Sequence, residues 1–191
     1  MEEALARGYK WATIVIDPPW DYEETGSHAG VPYHTMKYKD ILGLTIPAMP
    51  DCHLYLWITN RFLLKAAEVL ESWGFEPSAI LTWHKKQILK DGSQTPRGRG
   101  TGSFVITTEH VIFARRGQMP IKRQDAETHF DYAIPRRELT HSKKPPEFLG
   151  LVESCSPGPY LEIFSRSDRD GWSSIGENGL KLAPGILLPS T

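Results

Sequence analysis

A chain of 191 residues with 40% hydrophobic and 24% charged side chains has the makeup of a single globular domain, 1–191, and no apolar run approaches the roughly 20 residues that cross a bilayer. A net charge of −1 argues against general attraction to polyanions, and the charged start MEEALARGYKW has no secretion-signal core. Cys52 and Cys155 lie in apolar segments at no disulfide or metal spacing, so both are expected as buried thiols in a reducing compartment, the cytoplasm by default.

The first strong element in chain order is ATIVI (12–16), β-branched and unbroken, as in a strand buried on both faces. HLYLWIT (53–59) repeats that pattern. RFLLKAAEVLESWGF (61–75) carries apolar positions 62, 63, 66, 69, 70 and 73 at helical spacing, with Gly74 as its stop. SAILTW (78–83) and HVIFA (110–114) are further strands. The stretch between them, HKKQILKDGSQTPRGRGTGSF, is too rich in glycine and charge to be core. Residues 117–144 read as polar and irregular. PPEFLGLVESC (145–155) predicts a helix with prolines at its start, and YLEIFSR (160–166) is the last clear strand. Strands alternating with helices predict an α/β fold, a mainly parallel sheet with helices on both faces. Ligands in such sheets bind beyond the carboxyl ends of the strands, where Asp17, Thr59, Trp83 and Arg166 fall.

Charge is unevenly spread. Residues 1–83 carry a net −5, residues 84–123 a net +7, and residues 124–191 a net −3. A basic middle on a mildly acidic body suggests a local anionic partner; a solvated loop is the plain alternative. The cations concerned are Lys85, Lys86, Lys90, Arg97, Arg99, Arg115, Arg116, Lys122 and Arg123.

The strand at 12–16 runs directly into DPPW (17–20). A residue before proline is pushed toward extended backbone, so Asp17 stays in line with its strand. Pro18 and Pro19 fix two φ angles and offer carbonyls without competing N–H donors. The expected result is a rigid rim of acceptors beside the flat face of Trp20. Such a rim suits a planar heterocycle bearing an exocyclic NH₂, and stacking on Trp20 would contribute about 1–3 kcal/mol. An aromatic amine is a poor nucleophile because its lone pair is delocalised. Two acceptors aimed at its hydrogens favour the pyramidal nitrogen that can attack. The alternative is a strand-ending turn with a buried tryptophan.

DPPW after a strand resembles the catalytic tetrapeptide of the adenine-N6 methyltransferases. The chain as a whole resembles the family of the eukaryotic mRNA adenosine N6-methyltransferase catalytic subunit and its bacterial and phage DNA relatives. The stretches that carry the resemblance are DPPWDY, VPYHTM (31–36), LYLWITN (54–60), WGFE (73–76), LTWHK (81–85), EHVIFARRG (109–117), HSKKPPEF (141–148) and PYLEIFSR followed by GW (159–172). They run in family order over about residues 12–178. The resemblance implies S-adenosylmethionine as methyl donor and a Rossmann-like methyltransferase sheet, circularly permuted so that the catalytic strand precedes the donor-binding strand.

Site residues carry over position by position. Asp17, Pro18, Pro19 and Trp20 correspond to the catalytic tetrad, with Asp17 also facing the donor's ammonium or sulfonium. Lys144 aligns with the lysine that pairs with the donor's carboxylate. Glu162 sits at the acidic position that accepts from ribose hydroxyls or orients Arg166, and Arg166 and Arg169 match the polar ribose-side loop. Where relatives read Gly-Asn-Glu or Gly-Asn-Gln, this chain reads Gly176-Glu177-Asn178, so either Asn178 serves with a one-residue shift or Glu177 takes the contact. Tyr33 matches a tyrosine beside the target adenine, in a loop (25–35) that could close over the site. Lys85, Lys86, Arg97 and Arg99 are the candidate phosphate contacts, which position a strand without reading its sequence. The seven histidines show no metal spacing, and direct methyl transfer needs no metal.

The expected activity is therefore N6-methylation of adenine in nucleic acid. DNA is preferred over RNA because the chain is compact, lacks the zinc fingers and leader of the mRNA enzymes, and resembles the bacterial and phage members more. A duplex acceptor would have to flip its adenine at a cost of a few kcal/mol. The competing readings are a non-catalytic nucleic-acid-binding subunit of a methyltransferase pair and a small-molecule amine methyltransferase. No membrane partner is expected, and the absence of a target-recognition domain suggests either loose specificity or a homodimer or heterodimer.

Overall fold

The run WATIVI forms strand β1 (Trp11–Ile16), every residue of it buried. Its neighbours in space are β2 (Ala48–Ile58) on one side and β11 (Tyr160–Ser165) on the other, both parallel to it. The computed structural model describes residues 1–21, 35–100, 104–138, 143–176 and 178–184. Within them the central sheet has eight strands. β12 (Trp172–Gly176) continues it in parallel beyond β11, and β13 (Gly179–Lys181) closes that edge antiparallel. On the other side β8 (Thr108–Arg116) lies antiparallel between β2 and β3 (Glu76–His84), and β9 (His129–Phe130) pairs parallel with β3. The order across the sheet is β13-β12-β11-β1-β2-β8-β3-β9. The four strands around the site, β12, β11, β1 and β2, are all parallel.

Helices cover both faces, as expected. On one face α1 (Glu2–Ala6), α2 (Tyr38–Leu42) and α3 (Ala66–Ser72) bring Ala4, Ile41, Val69 and Leu70 against Ile14, Ile16, Leu54 and Leu56. On the other, α4 (Glu147–Cys155) brings Phe148 and Val152 against Val15, Tyr55, Trp57 and Phe113. Successive strand residues point to opposite faces, and a sheet covered on both must be apolar on both. That is why β1 reads as an unbroken run rather than an alternation. Each large side chain so buried contributes about 1.5–3 kcal/mol.

Several expectations shift. The helix anticipated over 61–75 is a 3₁₀ turn (Leu63–Lys65) followed by α3, and Gly74 ends it at φ 74°. The glycine-rich stretch after β3 folds into two small sheets. β4 (Lys86–Ile88) pairs with β5 (Gln94–Pro96), and β6 (Arg99–Gly100) with β7 (Val105–Ile106). Residues 117–144 are not wholly irregular either, since β10 (Ala133–Pro135) joins β4 and buries Ile134, while Phe130 of β9 enters the core. Both cysteines are buried and free. Among the described residues no helix is long and apolar enough to cross a membrane.

Candidate active site

The carboxyl ends of β1, β2 and β11 and the amino end of β8 meet at one edge of the sheet, because β8 runs opposite to its neighbours. Asp17 follows β1 there, its backbone N–H reaching the Ile163 carbonyl at 3.4 Å. Its carboxylate accepts from Lys144 Nζ at 2.8 Å. Lys144 lies just before α4 and also stands 3.4 Å from Glu109 Oε2, with its ammonium 5.1 Å from the centre of the Trp57 ring. Glu109 Oε1 in turn accepts from Lys85 Nζ at 3.2 Å.

Asp17, Lys144, Glu109 and Lys85 thus form a chain of alternating charge with no net charge. Their side chains are only 27%, 21%, 17% and 16% exposed. Burial pushes the Asp17 carboxyl above the ordinary aspartate value, opposed by Lys144. Burial also works against the charges of Lys144 and Glu109, but their partners outweigh it. Asp17 and Glu109 push the Lys144 pKa up, and Lys144 and Lys85 hold Glu109 below its ordinary value. Ions so shielded persist only when paired, since an unpartnered buried charge is costly.

The Pro-Pro step is built differently from the expectation. The Pro18 carbonyl accepts from the Trp20 N–H, and the Pro19 carbonyl from the Met36 N–H, both at 2.8 Å. Each carbonyl keeps one further lone pair, so Asp17 is the acceptor left least committed to the backbone. Trp20 is a correction as well. Its ring is 3% exposed, stacked on Phe62 with centroids 4.9 Å apart, and its Nε1–H reaches the Trp57 carbonyl at 3.3 Å. The indole is amphipathic and finds both an aromatic neighbour and an acceptor inside the fold. In this structure it wedges the tetrapeptide in place and presents no open face to a base.

At the same edge of the sheet, a cavity of about 390 Å³ opens between the end of β11 and the β12–β13 hairpin, with Ser165, Arg166, Asp168, Ser174 and Asn178 among its walls. A Cβ on Gly176 would come within 2.3 Å of the Ser165 carbonyl, so only glycine lets the two strands approach here. Phe164 next to it adopts φ 64° at an irregularity in the β11–β12 pairing, and such backbone is concentrated at functional sites. Glu162 accepts from the Ser165 hydroxyl at 2.8 Å, and burial raises its pKa. Arg169 is not at the cavity's disposal. It donates twice to Glu153 of α4, at 2.9 Å each, and Glu153 also accepts from Trp172 Nε1 at 2.7 Å. Its guanidinium ties α4 to β12. Tyr33, the loop at 25–35 up to residue 34, Glu177 and the side chain of Arg99 lie outside the described residues; Asn178 is found at the cavity.

The basic segment does not form one patch. Lys85 belongs to the ion chain, and Lys86 pairs with Asp131. Because β8 is antiparallel, Arg115 and Arg116 fall opposite His53 and Cys52, at the far end of the sheet from Asp17. Arg116 caps α3 through the Trp73 and Gly74 carbonyls, and Arg123 pairs with Asp125 at 2.7 Å. Lys122 hydrogen-bonds through its backbone to the Cys155 carbonyl at the end of α4. Arg97 stays beside Lys85 through its N–H, and Lys90 is exposed in the turn between β4 and β5.

Sequence reasoning passed over Glu109 and its neighbour His110. His110 is bonded to Thr82 Oγ1 at 3.1 Å and Asn60 Oδ1 at 3.2 Å, and burial lowers its pKa. A carboxylate at the mouth of an otherwise apolar strand, in EHVIFA, was the available signal. Thr59 Oγ1, at the same edge, is buried with no hydrogen-bond partner among the described residues.

A donor with a zwitterionic amino-acid end and a ribose fits these groups chemically. Asp17 and Lys144 are one anion and one cation for the former, while the cavity offers hydroxyl, carboxylate and amide groups for the latter. Its volume lies within the usual range for small-molecule sites.

Comparison with known proteins gives the same direction. A family model described as MT-A70 matches residues 11–178. An N(6)-adenosine-methyltransferase MT-A70-like protein of Drosophila melanogaster is 30% identical over 94% of this chain and 29% of its own length. The Homo sapiens N(6)-adenosine-methyltransferase catalytic subunit METTL3 is 30% identical over 87% of this chain and 28% of its own. The Homo sapiens N(6)-adenine-specific methyltransferase METTL4 is 29% identical, with 88% and 37% covered. The chain therefore spans between a quarter and two fifths of these relatives' length.

Proposed function

The chain belongs to the MT-A70 family, and on that premise we propose that it is an S-adenosylmethionine-dependent methyltransferase acting on N6 of adenine in nucleic acid. The observation that carries this is Asp17 of DPPW, bonded to Lys144 at 2.8 Å beyond the carboxyl end of β1. The placement of β1 ahead of β11 along the chain supports the circularly permuted form of the Rossmann-like sheet.

The bound donor supplies an electrophilic methyl group on a sulfonium. Asp17 accepts a hydrogen bond from the adenine NH₂ and so keeps the nitrogen lone pair available for in-line attack. Taking up that methyl would leave the nitrogen cationic. It then loses its proton readily, so Asp17 need only orient it and pass the proton on. Lys144 would hold the donor's carboxylate in place of Asp17, which would leave the aspartate free to face the amine. Pro18, Pro19 and the buried Trp20 hold that carboxylate rigid, and rigidity of the acceptor is what electrostatic catalysis requires. Arg166, Glu162 and Asn178 serve the ribose side. Tyr33 borders the adenine, and Arg97 and Arg99 take phosphates, joined by Lys86 only if it leaves Asp131.

DNA is the preferred acceptor on the resemblance to bacterial and phage members. The names of the relatives, adenosine in two and adenine in the third, make RNA the competing one. The working location is the cytoplasm, and a homodimer or heterodimer is the assembly to look for by light scattering. The deciding experiment is incubation with labelled donor and separate DNA and RNA pools, followed by nucleoside mass spectrometry. N6-methyldeoxyadenosine is expected; N6-methyladenosine alone selects RNA. Donor binding without either product would make the chain a non-catalytic subunit.

A further inference from the structure

We propose that Lys85 is a positioning residue of the active site rather than a phosphate contact: it pins Glu109, and through Glu109 it sets how much of Lys144 is shared with Asp17. The inference rests on the reading of Asp17 and Lys144 given above.

Lys85 sits where the main sheet gives way to the small hairpins. Its N–H bonds to the Thr107 carbonyl at 2.8 Å, and its own carbonyl accepts from Arg97 N–H at 2.7 Å. The backbone is therefore held on both sides. The adjoining residues Trp83 and His84 pair with Glu109 and Thr108 across the β3–β8 ladder. This fixes the side chain beside Glu109, and its Nζ lies 3.2 Å from Oε1. A phosphate could take that ammonium only by leaving Glu109 with a single partner in a shielded site.

The geometry makes Glu109 a divided carboxylate. One oxygen belongs to Lys85 and the other to Lys144, which is itself divided between Glu109 and Asp17. Take away the Lys85 charge, and Glu109 has only Lys144 to turn to. Lys144 is drawn toward it, Asp17 loses part of its counter-ion, and three ions are left with one negative charge in excess. Arg166, just after β11, lowers the Asp17 pKa, Asp17 in turn raises that of Glu162 on β11, and His110 lies beside Glu109. None of these replaces the Lys85 ammonium at Oε1, since no other cation is bonded there among the described residues.

Carbon-13 NMR titration of the aspartate carboxyls in the donor-free protein tests this without any need for turnover. Lys85→Met should raise the Asp17 midpoint by about half a pH unit or more, about threefold in proton affinity, and Lys85→Arg should restore it. Glu109→Gln should move the midpoint the other way, because Lys144 then belongs to Asp17 alone. In that background Lys85→Met should have little further effect. An unmoved midpoint, or a full shift that survives Glu109→Gln, overturns the relay. A second arm reads oligonucleotide affinity against salt. Lys85→Met should keep the wild-type slope, whereas a slope lower by about 0.7–0.9 would make Lys85 a phosphate contact after all. If no oligonucleotide binds, the proposed function fails while the titration still decides the relay.

Discussion

The two ends of β8 solve the same problem, polar groups inside a sheet, in opposite ways. At its amino end Glu109 joins a chain of four ions that includes Asp17. At its carboxyl end the buried polar groups are neutral. His53 pairs with Ser156 Oγ at 2.8 Å and with the Met119 carbonyl at 3.0 Å, Tyr55 shares the same serine at 2.7 Å, and burial keeps the His53 pKa down. Cations there serve the backbone, as when Arg116 closes α3. A neutral network satisfies its hydrogen bonds with small desolvation cost, whereas shielded ions are weak contributors to stability. The costly arrangement stands only at the end where the chemistry is proposed to occur.

The sharpest way to break this contrast is Asp17→Asn. Methyl transfer should fall by at least about 10²–10³-fold, measured with labelled donor. Because burial raises the folded Asp17 pKa above its unfolded value of 3.8, the native state binds the extra proton. Stability is then lost as pH rises through that window, and at neutral pH the charged form is a burden. The asparagine variant removes that burden but leaves Lys144 to Glu109 alone, so its Tm should stay close to wild type; a clear drop in Tm would make Asp17 structural. His53→Ala is the mirror experiment. It leaves Ser156 and the Met119 carbonyl short of a partner and opens a cavity, at a cost of about 2–4 kcal/mol. Donor affinity of the folded protein, read by calorimetry, should not change.

Acid sharpens the contrast further. His53 and His110 both have pKa values lowered from 6.5, so the unfolded chain takes up protons that the native state refuses. Stability should decline as pH falls below about 6.5, by at most about 1.4 kcal/mol per unit for each histidine. Denaturant melts from pH 7.5 to 5 should show His53→Gln with the shallower decline. A smaller effect is expected for Arg116→Ala, about 1 kcal/mol through loss of the α3 closure and the contact with Phe75. The smallest belongs to Arg115 and Arg123. Neutralising them should leave the salt slope of nucleic-acid affinity unchanged, since the former lies at the far end of the sheet and the latter is paired with Asp125.

Much of the fold was readable in advance because its signals are local. The apolar runs of β1, β2, β8 and β11 and the spacing that buries Val69 and Leu70 all lie in windows of a few residues. β12 escaped notice because WSSIG is short and rich in serine. Ser173 and Ser174 are nevertheless buried, with the Ser173 hydroxyl accepting from Ala183 N–H at 3.1 Å. The hairpins after β3 were missed because their few apolar residues are scattered among glycine and charge. Of the candidate site, Asp17, Lys144, Arg166 and Asn178 come to one edge, while Arg169 and Trp20 are committed elsewhere. The basic segment misled because charge counted along a chain ignores the direction of β8.

By itself the sequence determined the long apolar strands, the two-faced burial of the sheet and the rigid extension of Asp17 beyond β1, since dihedral restriction and apolar period act between near neighbours. Only the tertiary structure decided which charges meet. Lys144 reaches Asp17 across 127 positions of chain and Lys85 reaches Glu109 across 24. Ion pairing depends on distance in space and on exclusion of water, and neither exists until the sheet has closed around its helices.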